Sequence, residues 1–279
     1  MEANYVRLRR GSTSIWVSQD LQGEAKLEPL ADPDLLFSHP QCEFIKDQKK
    51  IKVGRVPLEI GGEVKTVYLK RYNAFSWRYR LGSLFVTSGA RRSLVGAGTL
   101  MQAGFLTGRP IAAVECRSWG MLTKSFYMSE EVPRGKTLDL YWREELIPVK
   151  GREGLRRRRS FLEALALLFR FLHGRNIYHN DLKDANILVC PRENQTGESF
   201  YLLDLEGIRS YRRLNRRRQV KNLVQLHRTM GRFLGRKERL YWLKVYLGDL
   251  FFDSEERRRW IGKILRESDR KDRRSRKKR

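Results

Sequence analysis

Along the first half of the chain apolar and polar residues alternate as strands do, and along the second half they recur at helical spacing. From Phe44 the run FIKDQKKIKVGRVPLEI leads through Gly61-Gly62 into VKTVYLKRY, with Val64, Thr66, Tyr68 and Lys70 on one face and Val67 and Leu69 on the other. Two such runs around a glycine turn predict a β-hairpin. Gly89 to Gly108 spaces Leu94, Ala97, Leu100, Met101 and Phe105 as a helix does. IAAVECRS and MLTKSFYMS then predict a second strand pair turning at Trp119-Gly120. Residues 1–38 mix the strand-like Ser14-Ile15-Trp16-Val17 with turn-rich stretches at Glu28-Pro29 and Asp32-Pro33, and read as an N-terminal extension.

After Glu131 the spacing becomes helical. Leu138 to Leu146 is a short stretch that Pro148 ends. Leu155 to His173 carries a stripe of Leu155, Phe161, Leu162, Leu165, Leu168, Phe169 and Leu172, closed by Gly174. Two apolar strands, Ala185–Cys190 and Phe200–Leu205, bracket the polar loop PRENQTGE, and Val220 to Leu265 reads as helix. The order is five strands and one helix, then a mostly helical part. This predicts an α+β chain with a small first lobe over 39–128, a larger one over 129–268, and a basic disordered tail over 269–279.

Composition narrows the class. Of 279 residues 58 are Lys or Arg and 32 Asp or Glu, a formal charge of +26, while 41% hydrophobic residues are too many for a disordered basic chain. The longest apolar run, Phe161 to Phe169, is far short of the ~20 residues a membrane span needs. The start MEANYVRLRR has no apolar core, so no secretory signal is expected. Cys42, Cys116 and Cys190 share no ligand spacing, which argues against a disulfide framework or zinc site and fits a reducing compartment. The tail holds eight basic and two acidic residues, so the body is basic in its own right. Arg209 to Lys221 has seven basic residues and no acid, a balance that attracts polyanions.

The densest polar information is Tyr178-His179-Asn180-Asp181-Leu182-Lys183-Asp184-Ala185-Asn186, running into the apolar Ile187-Leu188-Val189, with Leu203-Asp204-Leu205-Glu206-Gly207 downstream. H-x-D-x-x-x-x-N followed by a strand-end Asp is the loop pattern of the protein-kinase-like fold. Phosphoryl transfer needs a carboxylate at the acceptor hydroxyl, oxygen ligands for a metal on the nucleotide phosphates, and a cation on the phosphates that stay behind. Asp181 is the candidate base, Asn186 and Asp204 the candidate metal ligands, and Lys183 stands where it could touch the transferred phosphate. Lys70, in Val67-Tyr68-Leu69-Lys70, is the candidate upstream cation, with Lys65 its nearest rival. In such a loop His179 is a structural brace.

These segments, with SGARRSLVGAGTLMQAGFLTGRPIAAVE, KSFYMSEEV and KNLVQLHRTMGRF, resemble the lipopolysaccharide kinase (Kdo/WaaP) family over roughly residues 44 to 250. The resemblance implies a bilobal protein-kinase-like fold and phosphorylation of an inner-core lipopolysaccharide sugar, heptose or Kdo, with ATP and Mg²⁺. It places the enzyme at the cytoplasmic face of the inner membrane. It implies Asp181 as base, Asn186 and Asp204 as Mg²⁺ ligands, Lys70 as nucleotide-phosphate contact, and Ser129-Glu130-Glu131 as a hinge whose backbone meets adenine. Three features depart from the kinase pattern. No acidic residue between Gly89 and Pro110 could pair with Lys70, which leaves Glu115 or another carboxylate for that role. The equivalent of a Gly-rich loop is the basic turn Asp47-Gln48-Lys49-Lys50, where Lys49 and Lys50 would meet phosphate as point charges. Asp204 is followed by Leu205-Glu206 with no A-P-E sequence, so a long activation segment is absent and a small or glycolipid acceptor is favoured over a protein.

Arg209, Arg212, Arg213, Arg216 and Arg217 begin five residues after Asp204 and are the candidate contacts to an anionic acceptor, the lipopolysaccharide or its lipid A-core. The same face would hold the protein at an anionic bilayer. Three other readings remain open: an atypical Ser/Thr protein kinase, a pseudokinase that binds nucleotide without turnover, and a basic nucleic-acid-binding protein. No nucleic-acid-binding signature is present, so a nucleic-acid partner is not expected.

Overall fold

Alternating burial along the first half of the chain builds a single antiparallel sheet. A computed structural model describes residues 5–19, 28–60, 62–74, 76–192 and 197–276. The chain forms two compact units, Met1–Val132 and Pro133–Arg279.

The first unit contains β1 (Tyr5–Arg10), β2 (Thr13–Ser18), α1 (Glu28–Ala31), β3 (Glu43–Asp47), β4 (Ile51–Ile60) and β5 (Glu63–Asn73), then α2 (Trp77–Gly82), α3 (Gly89–Gln102), β6 (Pro110–Ser118) and β7 (Met121–Glu130). The seven strands are ordered β1-β2-β6-β7-β5-β4-β3, each pairing antiparallel. The expected β4–β5 hairpin pairs Ile60 with Glu63, and Gly62, at φ 79°, takes the left-handed turn conformation that a side chain would oppose. Ile15, Val17, Val56, Val67, Leu69, Ile111, Val114, Phe126 and Met128 form one core cluster. On α3, Ala90, Leu94, Ala97 and Leu100 are buried. That helix starts on a Ser88 cap, and Gly89 lies flat against Tyr72, where a Cβ would come within 2.7 Å of the ring. The expectation of a separate extension over 1–38 is corrected here, because β1 and β2 are strands of the sheet and Ile15 and Val17 belong to its core. A six-residue strand carries too little periodicity to announce its pairing; β2 is recruited by β6, about 100 residues later in the chain.

The second unit contains β8 (Lys136–Thr137), α4 (Leu138–Tyr141) continued by a π turn over Trp142–Leu146, α5 (Gly151–Gly174), β9 (Ile177–His179), β10 (Ile187–Pro191), β11 (Glu198–Leu202) and β12 (Ile208–Ser210). Three helices follow: α6 (Arg216–Thr229), α7 (Arg236–Leu247) and α8 (Ser254–Arg276). Phe161, Leu162, Leu165, Phe169 and Leu172 of α5 are fully buried, and Phe169 meets Trp242 of α7 edge-on with ring centroids 5.4 Å apart. Leu155, counted in the same stripe, is 64% exposed. The expected disordered tail is also corrected: α8 runs unbroken through Arg276, and its Asp272 accepts from Arg228 of α6 at 2.8 Å. Residues 277–279 of that tail lie outside the described residues. Among the described residues no helix is long and apolar enough to cross a membrane.

Candidate active site

The polar loop of the second unit is held at both ends by backbone bonds. β9 pairs with β12, His179 opposite Ile208, and Asn180 N–H donates to Gly207 O at 3.1 Å. At the far end Leu203 N–H donates to Asn186 O at 2.9 Å, which brings the end of β11 beside the loop. Asp204 follows in the left-handed conformation, φ 57° and ψ 54°. For a non-glycine residue this costs on the order of 1 kcal/mol, and such strain persists where the surroundings over-determine it.

Within the loop Asp181, Lys183 and Asn186 form one knot. Lys183 Nζ donates to Asp181 Oδ2 at 2.7 Å, and Asn186 Nδ2 donates to Asp181 O at 2.7 Å and to Oδ2 at 3.2 Å. The Asp181 and Lys183 side chains are 41% and 40% exposed, so their attraction is screened by water and open to a reactant. With Asn186 Nδ2 committed to Asp181, the amide presents Oδ1 as an oxygen donor.

His179 has the brace role expected of it. It is fully buried; Nε2 donates to Leu203 O at 2.7 Å, and Nδ1 accepts from Asp181 N–H at 3.2 Å. Those bonds require the neutral ring, and burial pushes its pKa down.

A second layer, absent from the sequence reading, orients this loop. Asn222 of α6 is fully buried, and its Nδ2 donates to His179 O at 2.5 Å and to Gln225 Oε1 at 2.9 Å. Its Oδ1 therefore accepts from His173 Nε2 at 3.1 Å, which leaves His173 Nδ1 to accept the Tyr246 hydroxyl at 2.8 Å. Gln225 Oε1 accepts Leu182 N–H at 3.3 Å, and Nε2 donates to Asn180 O at 2.7 Å and reaches Asp181 Oδ1 at 3.5 Å. Every donor and acceptor has one consistent direction from Tyr246 to Asp181. Burial lowers the pKa of His173 to about 4, so it is neutral at physiological pH. The only signal in the sequence was Asn222 and Gln225 at i, i+3, set among the apolar residues Val220, Leu223, Val224 and Leu226.

The five candidate arginines have different surroundings. Arg209 donates to the backbone of Glu206 and Ile208, at 3.0 and 2.8 Å. Arg216 pairs with Glu256 of α8 and stacks over Trp260. Arg212, Arg213 and Arg217 are exposed. Lys221, a residue not singled out before, donates to Asn180 Oδ1 at 2.9 Å, next to Asp181.

The remaining candidates lie in the first unit. Lys70 is half-buried on β5, its ammonium 5.0 Å from the centre of the Tyr72 ring. Glu115 is buried and accepts from Arg117 Nη2 at 2.9 Å. The rival Lys65 pairs with Glu130 at 3.5 Å. Lys49 and Lys50 are exposed in the β3–β4 turn, closed by paired Gln48–Ile51 backbone bonds. Glu130 N–H donates to Arg109 O and Glu131 N–H to Thr66 O, so a hinge contact through either amide hydrogen is already taken. Their carboxylates are taken too: Glu131 accepts from Arg55 Nε and Nη2, each at 2.9 Å, and Glu130 faces Arg109 and Lys65.

Among the described residues no three His, Cys, Asp or Glu side chains gather into a metal cage. The donor set fits Mg²⁺ nevertheless, since that ion uses one or two protein oxygens and completes its shell with water and substrate phosphates. Asn186 Oδ1 and the Asp204 carboxylate supply such oxygens.

The sequence matches the profile of the lipopolysaccharide kinase (Kdo/WaaP) family over residues 64–246, more than half of the chain and the whole of this loop. No curated protein sequence matches the chain. A solved structure described as WaaP in complex with acyl carrier protein is similar over 86% of this chain and 92% of its own, with a TM-score of 0.61 and 20% identity. At that identity the likeness speaks for the fold, an antiparallel sheet in the first unit and mostly helices in the second.

Proposed function

The chain belongs to the lipopolysaccharide kinase (Kdo/WaaP) family, and from that premise we propose that it transfers the γ-phosphoryl group of ATP to a heptose or Kdo hydroxyl of the lipopolysaccharide inner core. The observation that carries this reading is the knot of Asp181, Lys183 and Asn186, half open to solvent and braced from behind by His179. Asp181 accepts the proton of the attacking hydroxyl as its oxygen bonds to the γ-phosphorus and the bond to the β-phosphate oxygen breaks. Lys183, on the same carboxylate, keeps a positive charge where the transferred oxygens gain negative charge. Asn186 and Asp204 would hold Mg²⁺, which when bound neutralises the nucleotide phosphates. Lys70 is assigned to the non-transferred phosphates, with Lys49 and Lys50 as further point charges.

The exposed basic residues after Asp204 suit an acceptor rich in phosphate, and each Lys or Arg near an anionic bilayer adds about 1 kcal/mol of attraction. Those residues support a peripheral position on the cytoplasmic face of the inner membrane. The structurally similar protein was solved with acyl carrier protein, which supports a lipid-linked acceptor.

The test is transfer of labelled phosphate from ATP to isolated core lipopolysaccharide by the wild type and by Asp181→Asn. The substitution keeps the shape and removes the base, so the rate should fall roughly 10²- to 10⁴-fold. Full transfer by the variant would overturn the assignment of Asp181. Transfer to a generic protein in preference to any saccharide would favour the protein-kinase reading.

A further inference from the structure

Beside the loop, α6 and α8 enclose a groove of about 500 Å³ lined by Arg217, Lys221, Lys263, Glu267, Arg270 and Lys271. On α6 the cations fall at 217 and 221, and on α8 at 263, 270 and 271, so each helix turns a basic stripe toward the other. The groove's single carboxylate, Glu267, is already bonded to Arg270 at 2.6 Å. Among the described residues Arg217, Lys263 and Lys271 make no ion pair. Beyond the Arg270–Glu267 pair, the four cations Arg217, Lys221, Lys263 and Lys271 repel one another, an arrangement that an incoming anion relieves. The pKa of Lys271 is lowered by burial first and by the neighbouring Arg228 and Lys221 next.

A second cavity, of about 390 Å³, shares Arg217 and Lys221 with the groove and adds Tyr178, Tyr211, Asn215 and Arg218, with no carboxylate in its wall. Lys221 joins both cavities to the catalytic loop through its 2.9 Å bond to Asn180 Oδ1. The two concavities thus share a lining residue that is bonded to the neighbour of Asp181.

We propose that the α6–α8 groove is a second anion site, which holds a phosphate already present on the glycolipid acceptor while the Asp181 loop phosphorylates a neighbouring sugar. This rests on the kinase reading above and adds to it Lys263, Arg270 and Lys271, none of them near Asp204 in sequence. A concave site with cations on both walls encloses one phosphate from several directions, whereas a flat bilayer surface reaches only the rim. Its occupant is therefore the acceptor's own phosphate and not a phospholipid headgroup.

Affinity of the full chain for bisphosphorylated lipid A in neutral detergent micelles decides the matter, compared between wild type and Lys263→Gln/Lys271→Gln. Losing two charge-assisted contacts should weaken binding at least about ten-fold. Affinity for the same lipid stripped of phosphate, and for ATP, should not change, and Lys263→Arg/Lys271→Arg should restore binding. Undiminished binding by the double variant, or an equal loss on dephosphorylated lipid, would overturn the site. An equal loss on phosphatidylglycerol vesicles would assign the groove to the bilayer and overturn the choice of occupant. Should the double variant melt well below the wild type, Lys263→Gln alone carries the test, with about a three-fold loss expected for one contact and no loss refuting the site. Failure of the wild type to phosphorylate any saccharide would refute the kinase reading while these binding measurements still decide the groove.

Discussion

Asn222→Ala tests whether the Asp181 loop depends on the layer behind it. The Asn222 side chain is fully buried, and its amide makes three bonds, to His179 O, Gln225 Oε1 and His173 Nε2. Gln225 Oε1 would retain Leu182 N–H as a partner. His179 O and His173 Nε2–H would not, and both belong to buried residues. Each buried group left unsatisfied costs about 1–3 kcal/mol, so the variant should lose about 2–6 kcal/mol. Against a typical domain stability of about 5–15 kcal/mol, that is large but survivable at low temperature. Urea unfolding with linear extrapolation reads it directly. Activity should respond more steeply than stability. Without Asn222, Gln225 is no longer aimed at Asn180 O and Asp181, and misplacing a catalytic carboxylate by about 1 Å costs on the order of 100-fold in kcat. Asn222→Asp should fare little better, because a carboxylate accepts from His173 but cannot donate to His179 O. Stability reduced by less than about 1 kcal/mol, with kcat unchanged, would refute the network as a positioning device.

Two further outcomes follow from the same region. Burial holds folded His173 near a pKa of about 4 against 6.5 for the free ring, so on acidification the unfolded chain takes up this proton first. The stability from neutral His173 is complete above pH 6.5 and is lost between there and pH 4, on the order of 3 kcal/mol in all. The wild-type urea midpoint should fall faster than that of His173→Gln over this range, and parallel curves would show that His173 does not carry the effect. Gly207→Ala places a Cβ 2.9 Å from the Asn180 Cβ, next to the backbone bond that anchors the loop. We expect a stability loss of about 1–3 kcal/mol with a disproportionate fall in kcat, read by melting and by transfer assays on one preparation, and an equally active variant would show that the loop tolerates the displacement.

Much of the fold was legible because short-range periodicity reports which face of an element is buried. Val67 and Leu69, separated from Tyr68 and Lys70 by strand alternation alone, are fully buried in the sheet. Phe161, Leu162, Leu165, Phe169 and Leu172 form the buried stripe of α5 at the spacing expected of them, while Leu168 of the same stripe is half-buried. The loop was legible for another reason. Asp181, Lys183 and Asn186 lie within six residues, so the chain's own turn geometry brings them together, and local order is enough to read them as a set.

Periodicity cannot say which surface an element will face. Strands β1 and β2, read as an extension, join the sheet because β2 pairs with β6 through hydrogen bonds that leave no mark on six residues. The tail read as a disordered charged end continues α8, with Lys271 in the groove beside Lys221. Arg216 and Arg217 are neighbours in one basic run, yet the first is tied to Glu256 and the second opens onto the groove. Residues 1.5 Å apart along a helix axis point about 100° apart around it. By itself, then, the sequence determined which polar residues the loop gathers and the alternation of strand and helix, because both are encoded within a few residues. Only the tertiary structure decided what orients that chemistry: Asn222 bonds to His179 across 43 residues, and Tyr246 to His173 across 73. Such partners meet because burying a polar group requires a mate, and the mate is whichever side chain the packing of helices brings within reach.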